Sequence, residues 1–487
     1  MSSLIKLQDY TNYNIVELKE IVLDTKDAEA SENTDNQLDE YINLLRDISR
    51  ENVIVLPKDS KKNQEPNFLN LIQRSINGYQ TQCYVGLLQL ENGRELFIGS
   101  RFDEKDNYYF TQYILSKAYN LKVSLFQDMK PQTGKGQFIE FLLIFVFLYQ
   151  INKAYSKGIY RQYCTFECND AKLKGKIDIA RHIRLNSLFN GKIAYSYREY
   201  TISNNVNRLI LTAYSWLEKS NKQLMRELTW QYKNVAEYIK NLKNIMQPFS
   251  KQEISKVISR DRKKITHSVY RDWENVRKTA IMILRHMGID IAVEDEHRTN
   301  GILIDMRSVW ELYIESILKS ESDSSFAYKI KTQEETKYLF SKTMEIARIR
   351  TDFEFYKDEN SDEPKLILDA KYKNEWQEIA CNPNSENKWP REDVFQMLAY
   401  MYLLKCDYGG IVCPLKKGKM GRDEEGYFQY DLKNRKEIRG EFFIIPIVIP
   451  QVKSQEDFME NMKISERKFF NAVKEVLELI RKNKKDK

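Results

Sequence analysis

Histidine, cysteine and glycine are all scarce in this chain, and each shortage removes a class of protein. The four histidines, at 182, 267, 286 and 297, have no zinc-ligand spacing. Six cysteines among 487 residues are far too few for a disulfide scaffold. Cys164 and Cys168 form a lone C-x3-C pair, and Cys381, Cys406 and Cys413 are spread too widely for an iron–sulfur cluster. Seventeen glycines exclude a collagen-like chain. No unbroken apolar run exceeds the nine residues from 141 to 149, against the ~20 that span a bilayer. The opening MSSLIKLQDY has no basic segment leading into an apolar stretch, so no secretory signal is expected. These features predict a cytoplasmic chain with no membrane partner. The GKG at 134–136 lacks the spacing and the hydroxyl of a phosphate-binding loop.

What is present is ordinary globular material. Hydrophobic residues make up 42% and charged residues 30%, enough for buried cores. At ~150 residues per domain, the length suggests about three domains. The 77 lysines and arginines outnumber the 70 acids by 7, a mildly basic balance. The surplus is clearer between Lys251 and Asp290, where ten cations face five acids and Tyr270 and Trp273 are interleaved. Such a mixture suits either a solvated helix pair or a surface that meets nucleic acid.

Three regions are expected. Residues 1–125 read as a β-containing module: CYVGLLQL and LFIGSRF flank a turn with Asn92-Gly93, a hairpin signal. The polar stretches 24–41 and 57–66 within it read as exposed loops. Residues 126–300 read as mostly helical, opening with a buried helix over 136–158. Residues 301–487 alternate a helix (304–318), two strands (ARIRTDFEFY and KLILDAKYK), a helix (392–404) and further strands. The fold class expected is α/β, α+β overall, with a C-terminal mixed sheet flanked by helices.

The chemistry concentrates in that last region. Alternate residues of a strand share a face, so Asp369 and Lys371 point one way, as do Asp352 and Glu354 on the preceding strand. If the two strands pair through their polar turn, Asp352 and Asp369 converge. Two carboxylates ~4 Å apart repel by roughly 4 kcal/mol at an effective dielectric of 20, so a proton or a cation must sit between them. Oxygen-only ligands suit Mg²⁺ or Mn²⁺. A neighbouring lysine can hold a water and stabilise charge building on a phosphate. Downstream, Gln396 and Tyr400 lie one helical turn apart and can both face the site. Upstream, Glu311 follows Trp310 on a helix.

The order acidic helix, D, D-x-K, Q-x3-Y helix, strand resembles the PD-(D/E)xK nuclease superfamily, with Thr351 in the usual proline's place. The segments LKGKIDIARHIRLN, YREYTISNNVNRLIL, DMRSVWELYIESIL, LILDAKYK and DVFQMLAYMYLL, in that order, narrow the resemblance to the McrC family and its LlaJI-type relatives. That resemblance implies a PD-(D/E)xK nuclease domain over 301–487 and an N-terminal module over 1–125 that docks on a motor. Asp352, Asp369 and Glu311 would hold Mg²⁺ or Mn²⁺, Lys371 would orient the attacking water, and Gln396 would position DNA or the nucleophile. Tyr400 would pack beneath them, and Glu354 is a substitute ligand. The implied partners are DNA and a hexameric McrB-like AAA+ GTPase supplied in trans. A motor-independent repair or recombination nuclease and a non-catalytic activator of the motor remain as alternatives.

Overall fold

The computed structural model describes residues 4–23, 32–50, 53–57, 67–104, 107–121, 135–188, 190–260, 264–286, 299–322, 326–332, 337–338, 348–358, 361–381, 389–417, 426–432 and 440–483. The chain divides into two compact units, one formed by residues 1–135 with 299–487, the other by 136–298. The N-terminal and C-terminal segments, expected as separate modules, therefore belong to one unit, and the helical region is inserted between them. The reason lies in one strand. Asn300–Asp305, whose last two residues were expected to open a helix that instead starts at Met306, completes an N-terminal sheet, running antiparallel to Tyr84–Gln89 and parallel to Val53–Leu56. Its apolar residues Ile302, Leu303 and Ile304 are buried there.

That five-stranded sheet also contains the expected hairpin, in which Tyr84–Gln89 pairs with Glu95–Gly99. Ile5–Gln8 pairs parallel to the latter and closes the edge. Within the stretch expected as loop, Glu32–Arg46 is instead a helix, because Leu38, Ile42 and Leu45 recur at helical spacing and are buried. The rest of the two polar stretches, 24–31 and 58–66, lies outside the described residues.

The second sheet of this unit has six strands, in the order Lys329–Thr332, Phe353–Tyr356, Leu366–Ala370, Tyr408–Lys416, Glu441–Ile449, Phe428–Asp431. The three central strands run parallel and the outer ones antiparallel. Parallel strands covered on both faces read as continuous apolar runs. LILDA and YGGIVCPL are such runs, with every residue buried. Helices Asn374–Cys381 and Arg391–Leu403 cover one face around Ile367, Ile411, Cys413, Phe442 and Ile444. Met306–Glu321 and Gln455–Asn483 pack together and cover the other. The indole of Trp310 is fully buried and donates to the Val412 carbonyl at 3.2 Å, pinning its helix to the sheet. Gly409 lets the opposite helix close in: a Cβ there would lie 2.6 Å from Met401 Sδ.

The other unit is mostly helical. Lys135–Tyr155 is its first helix, the buried helix expected from sequence. Its window Phe138–Tyr155 is long and apolar enough to cross a membrane by length and composition, although no unbroken run reaches that length, and 72% of it is buried inside the protein. A three-stranded sheet of Gln162–Asp170, Ile193–Thr201 and Lys176–Ile177 belongs to the same unit. Asn207, wholly buried, accepts from Tyr238 Oη at 2.9 Å and donates to the carbonyls of Tyr160 and Ile202 at 2.9 and 2.7 Å. Its role is to tie helix to strand ends.

Trp310→Ala is expected to destabilise the first unit by about 3–5 kcal/mol, the usual cost of deleting a buried indole. A lower midpoint in denaturant unfolding would register it.

Candidate active site

The strand pair sets the site. Phe353 opposes Leu368, Glu354 opposes Ile367 and Phe355 opposes Leu366. One further step of that antiparallel register opposes Asp352 to Asp369. The Ala370 N–H donates to Asp352 Oδ2 at 2.8 Å, so the aspartate is fixed by backbone just beyond the strand end. Asp369 is only 4% exposed. Burial, followed by repulsion from Asp369 and Glu311, pushes the Asp352 carboxyl well above the usual carboxylate range. A hydrogen bond with the Asp369 side chain adds to the rise, and the Ala370 N–H opposes it.

Lys371 supplies the compensating charge. Its ammonium lies 2.5 Å from Asp369 Oδ2 and 3.8 Å from Asp393 Oδ1, and donates to Gln396 Oε1 at 2.9 Å. Burial alone would disfavour the cation, but attraction from Asp369, with Asp393 and Asp352 behind it, leaves the lysine pKa raised. Lys371 is thus held as an ammonium, a donor and a positive charge rather than a base. Gln396 Nε2 in turn donates to Tyr400 Oη at 2.7 Å, and Tyr400 donates to the Arg350 carbonyl at 2.7 Å. Tyr400 therefore packs beneath Gln396.

Glu311 reaches the group electrostatically from its helix. Its carboxyl is raised to about 7, first by burial and then by repulsion from Asp369, with Arg350 and Lys371 pulling the other way. Glu354 is turned elsewhere: its two carboxylate oxygens accept from Thr351 and Tyr356, each at 2.5 Å, and the residue is 1% exposed. Of the five residues singled out from sequence, Asp352, Asp369, Lys371 and Gln396 converge, Glu311 adds repulsion to the two aspartates from its helix, and Glu354 does not join them.

Two braces were not legible in the sequence. Asp393, 5% exposed, accepts from Lys373 Nζ at 2.9 Å and from Trp376 Nε1 at 2.8 Å. Its place one turn before Gln396 on the same helix was a signal, but an acid in a first helical turn is common for reasons of the helix dipole. The second brace is Arg101, from the N-terminal sheet region. It donates to the Tyr372 carbonyl at 2.5 Å and lies 4.4 Å from the centre of the Tyr372 ring, while Ser100 and Tyr372 hydroxyls are 3.1 Å apart. Side chains 371, 372 and 373 alternate, so the lysines face the carboxylates while Tyr372 anchors the segment.

Among the described residues no group of three or more His, Cys, Asp or Glu side chains stands arranged to hold a metal ion. The three expected ligands perturb one another but are not gathered into a ready three-ligand set. Mg²⁺ commonly takes one or two carboxylates and keeps several waters, so the Asp352–Asp369 pair is a donor set that fits it.

The McrBC 5-methylcytosine restriction system component family matches residues 79–414. The chain belongs to this family. The match includes the hairpin at its N-terminal end, further upstream than the segments that carried the resemblance. No curated protein matches the McrBC-family chain. Among solved structures, it is similar to a chain of the "half-complex from tetradecameric assembly of Thermococcus gammatolerans McrB AAA+ hexamers with bound McrC". That likeness is 15% identical with a TM-score of 0.46, covering 97% of this chain and 100% of that one. A chain of the Thermococcus gammatolerans McrBC complex is 14% identical over 65% of this chain and 87% of that one, with a TM-score of 0.28.

A carboxyl whose folded-state pKa lies above its unfolded value keeps its proton longer in the folded chain. Its contribution to stability therefore falls as pH rises, for Glu311 from its ordinary 4.5 toward about 7, and is constant above. Glu311→Gln should remove that loss, giving a variant that gains melting temperature relative to the parent across that interval in chelator. Superimposable pH–melting curves would show that Glu311 is not strained.

Proposed function

We propose that this McrBC-family chain is the Mg²⁺-dependent DNA endonuclease subunit of its restriction system, acting against foreign DNA when coupled to an AAA+ NTPase partner. The observation that carries the reading is the opposition of Asp352 and Asp369 across one strand pair, with the Lys371 ammonium beside them. Family membership supports the restriction role and, with it, a partner supplied in trans. In the Thermococcus gammatolerans assembly, McrC is bound to McrB AAA+ hexamers. An equivalent partner is proposed here.

Hydrolysis requires a water oxygen to form a bond to phosphorus while the ester oxygen on the far side departs and takes up a proton. Asp352 and Asp369 would hold the divalent ion, which supplies Lewis acidity and charge neutralisation when bound. Lys371, kept protonated, would donate to the attacking water or to a non-bridging phosphate oxygen and offset the charge that grows there. Gln396, tied to Lys371 and to Tyr400, would fix the direction of that ammonium and can itself donate to the DNA backbone. Glu311, with its carboxyl poised near 7, can accept a proton from the water or hold it through a second water.

Asp369→Ala and Lys371→Ala are each expected to lower DNA cleavage by at least about 100-fold, with circular dichroism unchanged. Cleavage retained by both variants would refute the site. Gln396→Ala should lose about tenfold and be less severe. Chelation should stop cutting, and Mg²⁺ or Mn²⁺ should restore it. The purified chain alone should cut DNA weakly. Robust cleavage without any NTPase would favour a motor-independent nuclease instead.

A further inference from the structure

The hairpin that carries Asp352 and Asp369 at one end has a second feature at the other. A cavity of about 640 Å³ opens there, within the ~300–1,000 Å³ typical of small-ligand sites. Lys357 follows the strand Phe353–Tyr356 and Lys365 precedes Leu366–Ala370, the Lys365 N–H bonding the Phe355 carbonyl at 2.7 Å. The C-terminal helix Gln455–Asn483 adds Lys474 and Arg481, seven positions apart and so on one helical face. Phe326 and Tyr328 contribute aromatic rings to the lining. The Tyr328 hydroxyl donates to the Leu477 carbonyl at 3.3 Å, and the Phe326 ring lies 5.3 Å from that of Phe470, so both aromatics are tethered to the helix.

The lining is chemically lopsided. Four cations face a single carboxylate, Glu478. No ion pair neutralises Lys357, Lys474 or Arg481 among the described residues. Converging cations select phosphate oxygens, and aromatic faces beside them offer a surface on which a base can rest. The pair occurs together in a concave site rather than on an open face, which favours a single nucleotide unit over a long duplex. At ~3.3 Å per strand residue, the five positions from Asp352 to Lys357 span roughly 17 Å. The cavity is therefore distinct from the carboxylate site.

We propose that this cavity binds a nucleotide, its phosphate held by Lys357, Lys365, Lys474 and Arg481 and its base against Phe326 and Tyr328. Two sources share that chemistry, a free nucleotide and the terminal nucleotide of a DNA strand. The site is independent of the catalytic reading and is tested apart from it.

The experiment is calorimetric titration of the full chain, in chelator so that nothing is cut, with GMP, AMP, inorganic phosphate and a 5′-phosphorylated trinucleotide. The double variant Lys474→Glu/Arg481→Glu should weaken nucleotide binding by at least about tenfold. Phe326→Ala should weaken the nucleotides several-fold and leave inorganic phosphate unchanged. Binding of GMP or AMP identifies the free nucleotide as ligand, whereas binding of the trinucleotide alone identifies a strand end. Absence of binding by all of them, or equal binding by parent and double variant with unchanged melting temperatures, overturns the proposal. Loss of cutting in Asp369→Ala with nucleotide binding intact would separate the two sites.

Discussion

Carboxyl groups set side by side away from water repel when both are ionised, and the pairing of Phe353–Tyr356 with Leu366–Ala370 sets Asp352 opposite Asp369. The protein meets the repulsion in three ways visible in the geometry. A backbone N–H is given to Asp352, a shared hydrogen bond favours the protonated form, and an ammonium is laid against Asp369. None of these saturates four carboxylate oxygens. The remaining capacity is what a divalent ion and its waters would use.

Holding Lys371 in place takes more of the chain than the lysine itself. The residues after the strand end alternate between two environments. Lys371 and Lys373 meet Asp393 from the covering helix, and Tyr372 is clamped by Ser100 and Arg101 from the N-terminal segment. Asp393 is itself fixed by the buried indole of Trp376. A second buried acid also ties the N-terminal segment to the C-terminal region: Glu466, on the long C-terminal helix, accepts from Tyr113 and Tyr313 at 2.8 and 3.0 Å and pairs with Lys117 at 3.1 Å. A buried carboxylate with three donors is satisfied, and losing one of them is costly. The N-terminal segment thus serves as part of the frame behind the site.

Several features were readable in the residues alone. The hairpin over 84–99, the buried helix near 138–155 and the C-terminal alternation of helix and strand all rest on local patterns of apolar spacing and turn chemistry. The grouping of Asp352, Asp369, Lys371 and Gln396 rested on spacing within two strands and a helix, which short-range geometry constrains tightly, whereas Glu311 entered through the family resemblance. Glu32–Arg46 escaped notice because its apolar residues are few and sit among acids, although each is placed at helical intervals. Glu354 was grouped with Asp352 by strand alternation, but Thr351 and Tyr356 capture its oxygens, and alternation says nothing about such partners.

The amino-acid sequence by itself determined which groups could form the proposed site, because carboxylates, an ammonium and an amide at fixed intervals on regular elements have few ways to face. Tertiary structure alone decided the rest. It made Asn300–Asp305 a strand of the N-terminal sheet, since that pairing reaches across more than two hundred residues and leaves no local trace. It also chose Arg101 and Asp393 as braces and set the protonation of Asp352, Glu311 and Lys371. Those depend on burial and on charges brought in from distant segments, which no window of sequence contains.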